Sequence, residues 1–218
     1  MKVRIKNLPR LEASEVGRPR YRMRNPILEG KLYQFRQPLW DVYAAIAATA
    51  LVARTLFQTP AGGQFTPIGG VAITKTRYHT NMTQAGVLPS PQKFFTKAIS
   101  VSYREDVNLA DATRFGFDTL ARFTISSREY LEIHAYKLPG AGGAYGFTSG
   151  IITNGLPERT NQFLFAGQLG EVIEQLQTVA VQLDPTLVSD ASGSGVLTTI
   201  AELNVFVHLD GLLNREVL

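Results

Sequence analysis

Phe94–Tyr103, FFTKAISVSY, alternates along its length, with Phe95, Lys97, Ile99, Val101 and Tyr103 on one face and smaller residues on the other. A period of two is the mark of a strand that turns one face toward a core. Outward from it the chain repeats this signal. Phe117–Ser126 (FDTLARFTIS) and Tyr130–Tyr136 (YLEIHAY) read as strands, as do Asn161–Phe165, Val172–Leu183, Val196–Ile200 and Leu203–Leu213. Thr178, Val179 and Val181 favour strand over helix in Val172–Leu183. Turn-formers separate the runs: Leu88-Pro-Ser-Pro, Pro139-Gly-Ala-Gly-Gly, Thr153-Asn-Gly-Leu-Pro, Asp184-Pro and Ser192-Gly-Ser-Gly. Leu39–Phe57 is ambiguous, because Ala44, Ala45, Ala47, Ala48, Ala50 and Ala53 favour helix while Thr49, Val52, Thr55 and Phe57 favour strand. A strand over roughly 49–58, stopped by Pro60-Ala-Gly-Gly, completes about eight strands, as a sandwich or barrel requires. No convincing crossover helix is visible, so a βαβ fold is not expected.

The chain has 218 residues, 44% of them apolar, enough for a core. Charged residues make up 18%, below the roughly 25% of ordinary domains. Such a neutral surface suits repeated subunit contacts, although a small-residue-rich β protein has the same composition. With no cysteine in the sequence, disulfides, thiolate nucleophiles, iron–sulfur clusters and cysteine zinc sites are excluded. The most apolar run, Val42–Ala53, is about a dozen residues between Asp41 and Arg54, short of the ~20 of a helical membrane span. The first residues, Met-Lys-Val-Arg-Ile-Lys, lead into no apolar run of the kind a signal peptide needs, so the expectation is maturation where the chain is made.

Charge is unevenly spread. Residues 1–36 hold Lys2, Arg4, Lys6, Arg10, Arg18, Arg20, Arg22, Arg24, Lys31 and Arg36 against Glu12, Glu15 and Glu29, a net of +7; with +4 overall, the rest carries −3. Pro9, Pro19 and Pro26 and the lack of apolar periodicity predict an extended basic arm over 1–36 and a β domain over 37–218. Arg outnumbers Lys here, and its planar fork matches phosphate. Lys2, Arg4, Lys6, Arg10, Arg18, Arg20, Arg22 and Arg24 are therefore the candidate contacts to nucleic acid or anionic lipid. The alternative is a solvated tail or a strap on a neighbouring subunit.

Motifs for catalysis are not found. His79, His134 and His208 are isolated in sequence, each reading as a structural histidine before a ligand or base. Thr148-Ser149-Gly150 lacks the glycine that a nucleophile elbow needs two residues before its serine. Gly140–Gly146 misses the GxGxxG spacing, and no Gly-Lys-Ser/Thr exists. Acidic pairs such as Glu105-Asp106 and Glu171/Glu174 read as solvated charge. No enzyme activity, catalytic residue, cofactor or metal is expected.

Leu56-Phe-Gln-Thr-Pro-Ala-Gly-Gly-Gln and Thr80-Asn-Met-Thr-Gln-Ala-Gly-Val-Leu-Pro-Ser-Pro-Gln-Lys-Phe-Phe carry a resemblance. With Leu138-Pro-Gly-Ala-Gly-Gly and Val207-His-Leu-Asp-Gly-Leu-Leu-Asn-Arg, they are similar to jelly-roll major capsid proteins of tailless icosahedral phages. The similarity runs in short patches from about residue 38 onward, and the order of the patches carries it more than any one of them. It implies an all-β, single jelly-roll sandwich of about eight antiparallel strands, since a double form needs twice as many. It further implies a virion structural protein that self-assembles into an icosahedral shell after synthesis in the host cytoplasm. Partners would be further copies, other virion proteins, and genome nucleic acid or internal membrane lipid along the arm. The alternative is a jelly-roll carbohydrate-binding, spike or receptor-binding module. A cupin-type enzyme would need clustered histidines with a Glu.

Overall fold

The computed structural model describes residues 32–46, 50–104, 107, 109–138, 144–148, 151–154, 163–165, 170–185 and 202–216. The arm residues before 32, the expected strand Val196–Ile200 and most of the Gly140–Gly146 loop lie outside them. In chain order the strands are β1 (Leu32–Arg36), β2 (Leu39–Ala45), β3 (Arg54–Leu56), β4 (Gln64–Phe65), β5 (Ile73–Thr74) and β6 (Lys93–Tyr103). After helix α1 (Leu109–Asp118) come β7 (Leu120–Ile125), β8 (Arg128–His134) and a 3₁₀ turn, Ala135–Lys137. Then follow β9 (Ala144–Thr148), β10 (Ile151–Asn154), β11 (Phe163–Leu164), β12 (Glu171–Ile173), β13 (Val179–Asp184) and β14 (Leu203–Glu216).

Two antiparallel sheets pack into a mostly β sandwich. In the first, β14 lies between β6 and an edge formed by β1 and β2, while β11 and β12 line the other side of β6. The second has the order β3-β13-β7-β8. If β1 and β2 count as one position, and β11 and β12 as another, the described strands of these sheets fill eight positions. The first position pairs with the eighth, the second with the seventh, the third with the sixth and the fourth with the fifth. This is a long two-stranded ribbon; rolling it adds β14 against β6 and β13 against β7.

Side-chain alternation builds the core between the sheets. β7 and β13 alternate buried and half-buried residues, sending Ala121, Phe123, Ile125, Val179, Val181 and Leu183 inward. From the other sheet come Val205, Val207 and Leu209 of β14, in register with Tyr103, Val101 and Ile99 of β6. At roughly 25 cal/mol per Å² of apolar surface removed from water, this is the main force holding the layers together.

Several expectations need correction. The opening strand does not keep one alternation. Phe94 is fully buried beside Leu213 and Phe95 is only half-buried, because the pairing skips from Ala98–Asp210 to Thr96–Gly211. Lys97 is the extra residue of a bulge, and it inverts the faces on one side of it. Two glycines make room there. A Cβ on Gly211 would lie 2.1 Å from the Phe95 carbonyl oxygen, and one on Gly170 would lie 1.9 Å from that of Thr96.

The ambiguous segment is a strand at 39–45 and again at 54–56, not over 49–58; residues 47–49 lie outside the described ones. Sheet pairing of Ala44 and Ala45 with Asn204 and Leu203 overrides alanine's helix propensity. Phe117–Ser126 begins as helix: α1 runs to Asp118, and Phe115 packs against Tyr43 and Tyr103 at 5.1 and 6.3 Å between ring centroids. Val172–Leu183 is two strands in different sheets. They are parted by a turn in which Leu176 takes φ 61° and the Gln177 side chain accepts the Glu174 N–H at 2.9 Å.

The two glycine environments give a direct test. Gly211→Ala should cost on the order of 3 kcal/mol in denaturant unfolding, since backbone atoms of β6 have to move. Gly62→Ala, at φ +90° with nothing within 4 Å, should cost about 1 kcal/mol from conformation alone. Equal losses would contradict the bulge.

Candidate functional site

The eight candidate arm residues, Lys2 to Arg24, lie outside the described residues. The three histidines are held by three different elements. His79 lies in the turn after β5, His134 ends β8, and His208 lies in β14 in register with Trp40 and Ser100. Among the described residues no three His, Cys, Asp or Glu side chains cluster as metal ligands would.

The strongest polar feature centres on Asp41, which in the sequence stands out only as the boundary of an apolar run. Asp41 shares a face of β2 with Leu39 and Tyr43 and sits opposite Val207. Its side chain is fully buried, and that of Lys75 is 5% exposed, with Nζ 2.5 Å from Asp41 Oδ1. The Val42 N–H donates to Oδ1 at 2.9 Å and the Phe57 N–H donates to Oδ2 at 2.5 Å. Burial pushes the Asp41 carboxyl above the usual carboxylate range, while the Lys75 charge and hydrogen bond and the two backbone amides pull it back. Lys75 also stands over the Phe65 ring, 5.2 Å from its centroid. The period of two in Leu39-Trp-Asp-Val-Tyr is the signal that could have found this site, since it puts Asp41 on the apolar face.

Asp41 thereby joins three stretches of chain. Phe57 follows β3 directly and takes φ 68°, a left-handed conformation that a bulky residue adopts only under constraint. Its amide is held by Asp41, and its carbonyl accepts the Gly86 N–H at 2.8 Å. Residues 81–92 are stitched to the turn before β13 and to β13 itself. Val179 N–H donates to the Gly86 carbonyl at 2.7 Å, Leu176 N–H to that of Leu88 at 3.2 Å, and Ser90 Oγ to Gln175 Oε1 at 2.7 Å. Met82 and Leu88 are buried.

The surface of the described residues offers apolar groups at its rim. Val71, 78% exposed, and Ile73 lie at the β4–β5 hairpin; Leu176, 67% exposed, lies in the β12–β13 turn; Leu164 lies on β11. By contrast, Arg122 and Thr124 of β7 and Gln182 and Asp184 of β13 face outward on the second sheet, and Arg122 Nε donates to Glu132 at 2.6 Å. Chemically the arrangement offers apolar side chains at a sheet edge and at loop tips.

Comparison with protein-family models, with curated proteins and with solved structures finds no match.

A double-mutant cycle tests the buried pair. Lys75→Met should cost about 3–5 kcal/mol, because it leaves a buried carboxylate without its counter-charge. The double variant Asp41→Leu with Lys75→Met should recover part of that loss. It should not recover all of it, since the Phe57 amide then lacks an acceptor at a cost of about 1–3 kcal/mol. Additive losses in urea unfolding would show that the two side chains do not act as a pair.

Proposed function

We propose that this chain is a viral shell subunit with a single jelly-roll domain. The observation that carries the reading is the rolled ribbon, with position order 1-8-3-6 in one sheet and 2-7-4-5 in the other. An eight-position sandwich closed by two Greek keys is the architecture of the jelly roll, shared by capsid, lectin and cupin domains. Fold alone does not choose among these. The choice of a capsid rests on the phage-capsid resemblance, the low charge, the basic arm and the rim of exposed aliphatic side chains. A cupin centre would draw its histidines together, whereas His79, His134 and His208 belong to three elements. For a carbohydrate groove the sole tryptophan would be a natural platform, yet Trp40 is half-buried at a ladder position beside His208.

On this reading the subunits assemble with copies of themselves and with other virion proteins, in a virion put together in the host cytoplasm. The arm, through Lys2, Arg4, Lys6, Arg10, Arg18, Arg20, Arg22 and Arg24, lies against genome nucleic acid or internal membrane lipid. The body's net −3 is too weak to hold all of its charge. No cofactor takes part and no reaction is catalysed.

One set of proteins tests both halves. The full chain should form particles by sedimentation and negative-stain microscopy, and Val71→Asp with Leu176→Asp should abolish them while far-UV circular dichroism stays β. Deleting residues 1–24 should leave the domain folded. It should also flatten the salt dependence of single-stranded DNA binding, which for the full chain falls by ~0.7 log unit per log unit of salt for each phosphate neutralised. A chain that stays monomeric at all concentrations argues against the shell, and equal binding by both lengths to DNA and to anionic vesicles argues against the arm's role.

A further inference from the structure

The turn after β5 is closed through one ring nitrogen. His79 Nδ1 accepts the Thr76 N–H at 3.0 Å and also lies 3.0 Å from Thr76 Oγ1. A backbone amide only donates, so this bond requires an unprotonated Nδ1. Around it the Thr76 carbonyl accepts from His79 N and Thr80 N at 3.0 and 3.2 Å, and Thr76 Oγ1 accepts the Tyr78 N–H at 3.3 Å.

The next two residues, Thr80 and Asn81, tie this turn to the edge of the first sheet. Thr80, fully buried, donates from Oγ1 to the Trp40 carbonyl at 3.0 Å. Asn81 accepts the Trp40 N–H at 3.0 Å and donates to the Pro38 carbonyl at 2.8 Å. Tyr78 reaches across to the Phe206 ring of β14, edge-on at 5.2 Å. Phe206 pairs with Val42 and so lies on the face of β14 opposite to the core residues Val205 and Val207.

We propose that Thr76–Asn81 is an acid-released clasp on the β2 edge, opened when the His79 ring takes up a proton at Nδ1. A proton there removes the acceptor of the Thr76 amide and adds a second cation beside Lys75. The groups facing the ring are Lys75 from the preceding strand end, Asp41 of β2, and the rings of Phe65 on β4 and Tyr78 in the turn, centred 5.5 and 5.4 Å away. Arg77 is the remaining charge in the turn. Asp41 attracts the proton but is already committed to Lys75 and two amides. Burial, then the Lys75 charge, holds the His79 titration below its ordinary 6.5, with Asp41 opposing. The open turn therefore binds the proton more tightly than the closed one, so closure is complete above about pH 6.5 and weakens as pH falls below it.

Hydrogen exchange on the full chain tests this, with rates corrected for the pH dependence of intrinsic exchange. Protection in a peptide covering residues 76–82 should fall about tenfold between pH 7.5 and 5.0. In His79→Asn, whose amide oxygen accepts the Thr76 N–H at either pH, the fall should vanish. His208→Gln should leave it as in the unchanged chain. The ring titration of His79 by NMR needs no variant, and its midpoint should lie below 6.5. Protection indifferent to pH, an undiminished fall in His79→Asn, a fall abolished by His208→Gln, or a midpoint at or above 6.5 would each overturn the clasp.

Discussion

The carboxylate of Asp41 finds all of its partners only where β2, the end of β3 and the strand end at Lys75 meet. Taking such a group out of water costs several kcal/mol unless its charge and lone pairs are answered. One ammonium and two backbone amides answer them here. The arrangement is conditional, because each donor is in place only when its own segment is folded. Phe57 carries part of the cost in its left-handed backbone, a conformation worth roughly 1–2 kcal/mol against a residue of that size. Against an apolar substitute the charge pair by itself contributes little net stability, the loss lying in the backbone amides left without an acceptor. The effect of the pair is to make one way of joining the sheets far better than its competitors.

The rest of the ribbon hangs from that joint. β2 feeds the first sheet and β3 the second, so the segment between them has to pass from one layer to the other. Asp41 is on one side of the passage and Phe57 on the other, and the Gly86 contact brings in β13 through Val179. The long strands β6 and β14 then supply the continuous surface of the first sheet. Their shared bulge at Lys97 needs no side chain at Gly170 or Gly211, which lets both neighbouring segments come close to the β6 carbonyls. The aliphatic tips at Val71 and Leu176 are thus presented on turns anchored to the core.

Much of this architecture was legible in the sequence. The alternation in Phe94–Tyr103 and in Leu120–Ile125, with proline and glycine between the runs, indicates a two-sheet β protein, and the described residues form one. What was not legible has physical causes. Nothing local marks Lys97 as a bulge, because its signal is a glycine more than a hundred residues away. α1 places Ala112 and Phe115 inside with a spacing of three, but Thr113 and Gly116 dilute its helical propensity. Ala44 and Ala45 are weak strand formers that the ladder to β14 enforces. The turn at Leu176 interrupts a run whose β-branched residues read as continuous strand. Asp41 was within reach of the two-residue period, since a charge on the Leu39 and Tyr43 face has to find a partner. Which partner it finds is a matter of long-range folding.

A shell subunit needs a frame that does not yield, edges that recognise copies of itself, and a segment that meets the contents. The sandwich with its buried pair suits the first need, the exposed aliphatic tips the second, and the eight basic residues from Lys2 to Arg24 the third. The most direct measurement is a side-chain-resolution density map of whatever the purified full chain forms in the presence of single-stranded DNA or anionic lipid. The expected result is a closed symmetric lattice of identical sandwiches, with Val71 and Leu176 against neighbouring subunits and the chain before residue 32 on the inner surface. A lone subunit, or an assembly in which those two side chains face solvent and the arm lies on the outside, would contradict it.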